Sequence, residues 1–265
     1  MRYLLVIGCL LGAFVAPAAR AAELPSVYIE KLTWMEIRDA MAKGYTSMII
    51  PTGGTEQNGP HMVLGKHNVI VKYAAGQIAK RLGNALVAPV MAYVPEGPVN
   101  PPTGHMKFPG TITTPEAVFE KVVEYACRSF EVEGFKNVLL LGDSGGQLRA
   151  LAQVSKSLNK EWSDADTRVY FISDYTRGEK FKKWLLSQGE TEQSIGYHAG
   201  IMDTSVAMAV DPSMIRWDKL ARGTDFYKTG VLGDPTHASV AYGKKGLEIQ
   251  IDGAVAQIHA FLKDR

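Results

Sequence analysis

Short apolar runs alternate along this chain with longer segments whose apolar residues recur about once per helical turn, a pattern that predicts strands separated by helices. The run Ser47-Met-Ile-Ile50 gives way at once to a polar, glycine-rich stretch reaching Asn68, as a buried strand does when it hands over to a loop. Ile70, Ala74, Ile78 and Leu82 step by one turn, so a helix is expected with Asn68 as its cap and Gly83 as its stop. Ala85 to Val94 reads as the next strand. Thr114-Pro-Glu supplies a cap and a first-turn proline for a helix that buries Phe119, Val122, Val123, Ala126 and Phe130 and stops at Gly134. Asn137-Val-Leu-Leu-Leu141 is almost continuously apolar, as a strand covered on both faces should be. Gly142-Asp-Ser-Gly-Gly146 separates it from a helix through Leu148, Leu151 and Leu158. Arg168 to Ser173 gives one more strand, and Leu247, Ile251, Val255, Ile258 and Leu262 form the stripe of a closing helix from which His259 points away. The order predicts an α/β fold: a single domain with a mostly parallel sheet and helices on both faces.

The first residues are set apart from that pattern. Arg2, an apolar run from Leu4 to Val15 and the small residues ending Ala19-Arg-Ala21 have the layout of a secretory signal peptide cleaved after Ala21. The run is too short to span a bilayer, so the expectation is a periplasmic or secreted domain over residues 22–265 with no membrane attachment after cleavage. Cys9 leaves with the leader. Cys127 is then the single thiol, which excludes an internal disulfide and reads as a small buried hydrophobe. The chain carries 29 Lys and Arg against 27 Asp and Glu, and without Arg2 and Arg20 the two signs balance at 27 each. With no basic tract left, nucleic acid and anionic membrane surfaces are excluded as partners, and a small-molecule substrate is expected.

Polar residues gather where the expected strands end. Glu56, Gln57, Asn58, His61, His67 and Asn68 follow the first; Asp143 and Ser144 follow a central one; His105 and the segment His198 to Ser205 add further candidates, as does Gly233-Asp-Pro-Thr-His237. Loops at the carboxyl ends of parallel strands line the crevice of such sheets, and two histidines and a glutamate within a dozen residues suit metal ligation or proton transfer there.

Glu56-Gln-Asn-Gly-Pro-His-Met-Val-Leu-Gly-Lys-His67 is similar, without a gap, to the E-Q-H-G-P-H-L-P-L-G-T-D loop of the creatininase family of metal-dependent amidohydrolases. Phe108 to Thr111 resembles its F-P-G-T element, His198 to Ser205 its H-A-G-x-x-E-T-S element, Gly233 to Pro235 its G-D-P element, and Leu32-Thr-Trp-Met-Glu36 its first helix. The resemblance runs in order over nearly the whole chain after the leader. It implies a creatininase-like α/β domain, a homo-oligomer, and hydrolysis of a C–N bond in a cyclic amide or related small molecule with one or two zinc or manganese ions.

The departures fall on the positions that hold metal in the family. Asn58 stands where the first ligand histidine is expected, His67 where the closing aspartate is, and Ser144 where the histidine of the glycine-rich turn is. Neither an amide nor a neutral hydroxyl is a good zinc ligand. A rearranged site for a single ion is therefore expected on Glu56, His67 and Asp143, with one position open for water. The changed set argues against creatinine itself as the substrate. His198 and Asp203 fall on the family's catalytic histidine and on its E-T-S acid, so a histidine titrating near neutrality with a carboxylate to fix its tautomer is expected to move the proton. His61 and His105, with Asn58 and Ser144, are expected to hold loops or line the pocket. Two other readings compete: a binding protein or pseudoenzyme that has lost the metal, and a serine esterase using Ser144 with the Asp234 to His237 block.

Overall fold

The computed structural model describes residues 24–176 and 178–263. The expected leader, cleavage site and Cys9 lie outside the described residues. Four strands, β1 (Ser47–Thr52), β2 (Ala85–Val87), β3 (Asn137–Gly142) and β4 (Arg168–Phe171), form one sheet in the order β2-β1-β3-β4, and every pairing is parallel. The helices are α1 (Trp34–Ala42), α2 (Lys66–Leu82), α3 (Glu116–Glu133), α4 (Leu148–Glu161), α5 (Ser173–Thr176), α6 (Glu179–Ser187), α7 (Glu192–Ile195), α8 (Ile201–Val210), α9 (Phe226–Thr229) and α10 (Val240–Lys263).

The period-2 alternation of the strands divides the core. Met48, Ile50, Leu86, Val138 and Leu140 pack with the apolar stripes of α3 and α4, whereas Ile49, Val87, Leu139 and Leu141 pack with those of α2, α8 and α10. Both faces of the sheet are thus covered, which is why β1 and β3 are buried at every position. The connection from β1 through α2 runs to one side of β1 and that from β2 through α3 returns past it to the other, on the opposite face. The strand order therefore reverses between β1 and β3, and the crevice outside their carboxyl ends is where such sheets hold ligands. No helix among the described residues is long and apolar enough to cross a membrane.

Several expected details differ. α2 begins at Lys66, behind Gly65, and Asn68 is inside it; its Oδ1 accepts the Gly54 N–H (3.0 Å) across the loop. Strand β2 ends at Val87 because Pro89 has no N–H for a ladder, and Ala88 to Val94 runs on as irregular chain. On α3 the buried face is Phe119, Val123, Cys127 and Phe130, while Val122 is half exposed, since residues 119, 123, 127 and 130 follow the helical period more closely than the expected set. Burial pushes the Cys127 thiol up to about 12, consistent with a packing role.

Candidate active site

The turn after β1 is pinned from two sides. Gln147, just beyond β3, donates from Nε2 to the carbonyls of Thr52 (3.1 Å) and Gly53 (2.9 Å), and Asn68 holds the Gly54 amide. Gly54 has φ +149°, and a Cβ there would come within 2.5 Å of Glu96 Oε1, so the backbone approaches Glu96 as only glycine permits. These restraints aim Glu56 into the crevice.

Glu56, His67 and Asp143, expected as three metal ligands, are brought together as a hydrogen-bonded chain. His67 Nε2 lies 2.9 Å from Glu56 Oε1 and Nδ1 lies 2.6 Å from Asp143 Oδ2, so the two carboxylates sit on opposite edges of one ring. A carboxylate only accepts, so both ring nitrogens donate and His67 is an imidazolium with no lone pair left for a metal. Burial and the Lys66 charge oppose that state, but the hydrogen bonds to Asp143 and Glu56 prevail and His67 is raised to about 9. The other oxygen of Asp143 accepts from the Tyr175 hydroxyl (2.6 Å), whose own pKa burial and Asp143 raise well above the ordinary value. Against burial, the His67 hydrogen bond and charge and the Lys66 charge hold the Glu56 carboxyl well below the usual range.

Asp203 does not hydrogen-bond His198 as expected. One of its oxygens meets the Lys66 ammonium at 3.1 Å, and the other accepts the Ala199 N–H at 2.7 Å, Ala199 being held in the left-handed region (φ 52°). Asp203 is half-buried; desolvation opposes its charge, but Lys66, first among its charged neighbours, draws its pKa down to about 2. The His198 ring instead rests on Gln57: its Nε2 lies 3.0 Å from the Gln57 carbonyl and 3.1 Å from the Gln57 amide nitrogen. Burial, and then Lys66, lower His198 to about 4, so it is a neutral imidazole at neutral pH and not a group poised to titrate there. His105 is likewise lowered by burial; it contacts Gln57 Nε2 through Nδ1 and faces Glu56 Oε2 through Nε2 at 3.4 Å. Phe226 closes the outer side, edge-on to both imidazoles.

The other expected pocket residues divide. Ser144 and His105 line a cavity of about 520 Å³ together with Glu56, Lys66, His67, Asp143, His198, Asp203 and Glu96, with Tyr197 and Phe226 toward its mouth. Asn58 and His61 are fully buried behind it. Asn58 Nδ2 ties the Glu56 carbonyl (2.8 Å) to the Val63 carbonyl (3.2 Å), and His61 Nε2 meets Thr204 Oγ1 at 3.0 Å. His237 is engaged by Glu190 (3.0 Å) and does not line the Ser144 cavity, so the esterase set is not assembled.

Lys66, Glu96 and Tyr175 were not expected, and Gln57 was named only as a member of the first polar cluster, with no role. Lys66 had a readable signal: with His67 it puts two cations at the start of a helix, where acids are normally favoured. Glu96 had none, because it lies on irregular chain after β2 and meets Glu56 only in the fold. Burial and the adjacent Glu56 raise the Glu96 pKa, as two touching carboxyls cannot both ionise.

Among the described residues, one group could hold a divalent ion. Glu56, His105 and His198 each offer a ligand atom, all within 4.8 Å of one another. Glu56 Oε2 stands 3.4 Å from His105 Nε2, near the roughly 3.3 Å edge of a tetrahedron with bonds of about 2.0 Å, and Glu56 Oε1 stands 3.9 Å from His198 Nδ1. Both histidines are neutral, as ligation requires, and the His198 Nε2 is placed to donate to the Gln57 carbonyl, the outer contact that orients a ligand histidine.

A family model described as creatininase, creatinine amidohydrolase, matches residues 30–258. The chain belongs to the creatininase family. It is 27% identical over 241 residues to the mycofactocin precursor peptide peptidase of Mycolicibacterium smegmatis, covering 82% of this chain and 86% of that protein. It is 24% identical over 200 residues to the creatinine amidohydrolase of Pseudomonas putida, covering 74% and 76%. Among solved structures, a creatininase mutant of Zn-Zn type superposes with a TM-score of 0.69 at 24% identity, over 89% of this chain and 98% of that one. The four-stranded parallel sheet with its two helical layers is this creatininase fold.

These charges set a pH dependence for metal-stripped protein. His67, raised to about 9, contributes stability that is present below its ordinary value near 6.5 and lost as pH rises through 9. His61 and His198, both lowered to about 4, resist protonation, so their contribution is present above 6.5 and lost as pH falls toward 4. Urea midpoints should therefore peak at about pH 6.5–7, and His67→Gln should flatten the alkaline side.

Proposed function

We propose that this creatininase-family protein hydrolyses a C–N bond in a cyclic amide or related small molecule, using one divalent ion, zinc or manganese, held by Glu56, His105 and His198. The observation that carries this reading is the convergence of those three side chains in an open cavity at the switch point of the sheet. The ion would supply Lewis acidity toward the amide carbonyl. His67, braced by Asp143 and Tyr175, fixes the Glu56 carboxylate, and Gln57 fixes the imidazole of His198. Phe226 keeps water off the outer faces of both histidines. The contact between Glu56 and Glu96 holds one proton between two carboxyls, and Glu96 opens onto the cavity, where that proton is available to a leaving nitrogen. One named relative acts on a peptide and another on creatinine, which supports a shared reaction class with a substrate set by the mouth of each pocket. The leader layout supports export with cleavage after Ala21, and the family resemblance supports an oligomer.

The test is turnover on a panel of cyclic amides before and after chelation. Activity should vanish with the chelator and return with Zn²⁺ or Mn²⁺, while Ser144→Ala should cost about tenfold at most, the worth of one hydrogen bond. Activity that survives chelation and dies with Ser144→Ala would establish the esterase instead; metal-free protein that takes up no ion would leave the binding-protein reading.

A further inference from the structure

Four acids line the cavity, and three of them are almost covered. Glu56, Glu96 and Asp143 are no more than 8% exposed. Glu56 and Glu96 contact each other, and Asp143 has one oxygen on His67 and the other on the Tyr175 hydroxyl. The Asp203 side chain, by contrast, is 33% exposed. Its partner Lys66, 3.1 Å away, is 1% exposed, so this ion pair turns its cation to the wall and leaves its carboxylate to face the open space.

The carboxylate is also held still. Asp203 lies in the first turn of α8, where the free amides of a helix favour an anion, and it accepts the Ala199 N–H at 2.7 Å. Lys66 and Ala199 each take one oxygen, which fills two of the roughly four acceptor positions that a carboxylate has. No hydrogen-bond donor among the described residues meets the other two. A charged acceptor that is fixed, open and only half used suits a donor brought in by the ligand. A cyclic amide with hydrogen on its nitrogen carries such a donor beside the bond to be cleaved. A carboxylate cannot donate, so an N-alkylated amide offers it nothing, and a site that hydrogen-bonds a substrate N–H rejects the analogue without one.

We propose that Asp203 is a substrate-binding residue that accepts the amide N–H, so that this cavity takes cyclic amides with an unsubstituted ring nitrogen and excludes their N-alkylated forms. Lys66 is the positioning residue behind it. The proposal rests on the amide reading for its substrate class and asks nothing of the metal ion, so the two fail separately. The probes are 2-pyrrolidinone and N-methyl-2-pyrrolidinone, which share a ring and a carbonyl and differ at the nitrogen. Their dissociation constants are measured by protein NMR titration on Zn²⁺-loaded and on stripped protein, with melting curves to confirm folding. In the wild type, loaded or stripped, N-methylation should weaken binding about tenfold or more, as loss of a hydrogen bond to a charged acceptor does. In Lys66→Met/Asp203→Ala, which removes the acceptor together with its buried partner, both probes should bind alike. Asp203→Asn provides a second reading should the double variant not fold: an uncharged acceptor should cut the preference to about threefold. Equal affinities in the wild type, binding of neither probe, or a preference that persists undiminished in the variants would overturn the proposal. If the preference stands but Zn²⁺ leaves the affinity for 2-pyrrolidinone unchanged, Asp203 keeps its role and the ion at Glu56, His105 and His198 loses its support.

Discussion

Replacing His198 with alanine should remove both the bound metal and the turnover. A ligand histidine leaves two of three protein donors behind, so the affinity for Zn²⁺ or Mn²⁺ should fall by more than about 100-fold, beyond the loss seen when only an outer contact is removed. Turnover should drop by about 10³-fold or more, since Lewis-acid stabilisation contributes several kcal/mol. The fold should survive, because the ring packs against Phe226 and Gln57 at the cavity wall and not in either core layer. Metal content, turnover and melting temperature measured on one preparation decide the matter. A His198 that only moved a proton would lose turnover with its metal intact. His61→Ala is the matching control: His61 is more deeply buried than His198 and bonded to Thr204 behind the cavity, so its loss should lower stability and leave metal content unchanged.

Asp203→Ala should be the most destabilising change at the site. It leaves the Lys66 ammonium, 1% exposed, without its carboxylate partner, and the Ala199 amide without its acceptor. Breaking a buried ion pair from one side costs about 3–5 kcal/mol. A third of the Asp203 side chain remains open to the cavity, so water partly compensates and a loss of about 2–3 kcal/mol is expected at neutral pH. Asp203 is lowered to about 2, below its ordinary value of 3.8, so its contribution is present above that value and disappears as pH falls through 2. Urea unfolding of wild type and variant should therefore diverge most near neutrality and converge in acid. Lys66→Met added to Asp203→Ala should recover part of the loss, since it removes the stranded charge; a double variant less stable than Asp203→Ala alone would show that Lys66 stabilises through contacts other than this pair.

The elements that the sequence displays well are those whose burial has a regular period. Asn137 to Leu141 and Ser47 to Ile50 are β3 and β1, and the stripes of α4 and α10 face the core as their spacing implies. Where the sequence misleads, a local signal is outweighed by a distant partner. Asn68 has a capping side chain, yet it serves Gly54; Val94 continues an apolar run, yet Pro89 has already ended β2. The five loops that could hold chemistry are visible as clusters of polar residues, and four of them send side chains to one cavity, the Gly233 to His237 loop being the exception.

Their roles were not visible, because a role here depends on which oxygen meets which nitrogen. The sequence by itself determined the α/β architecture, since periodicity acts over a few turns of chain, and its motifs, through their resemblance to the family, singled out Glu56, His67, His105, Asp143, His198 and Asp203 as candidates. Only the tertiary structure decided that His67 stands between two carboxylates, that Asp203 answers Lys66, and that Glu56 faces His105 and His198. Those pairings join residues far apart along the chain, such as Glu56 and His198, and their charges are set by mutual burial, which no local stretch of sequence encodes.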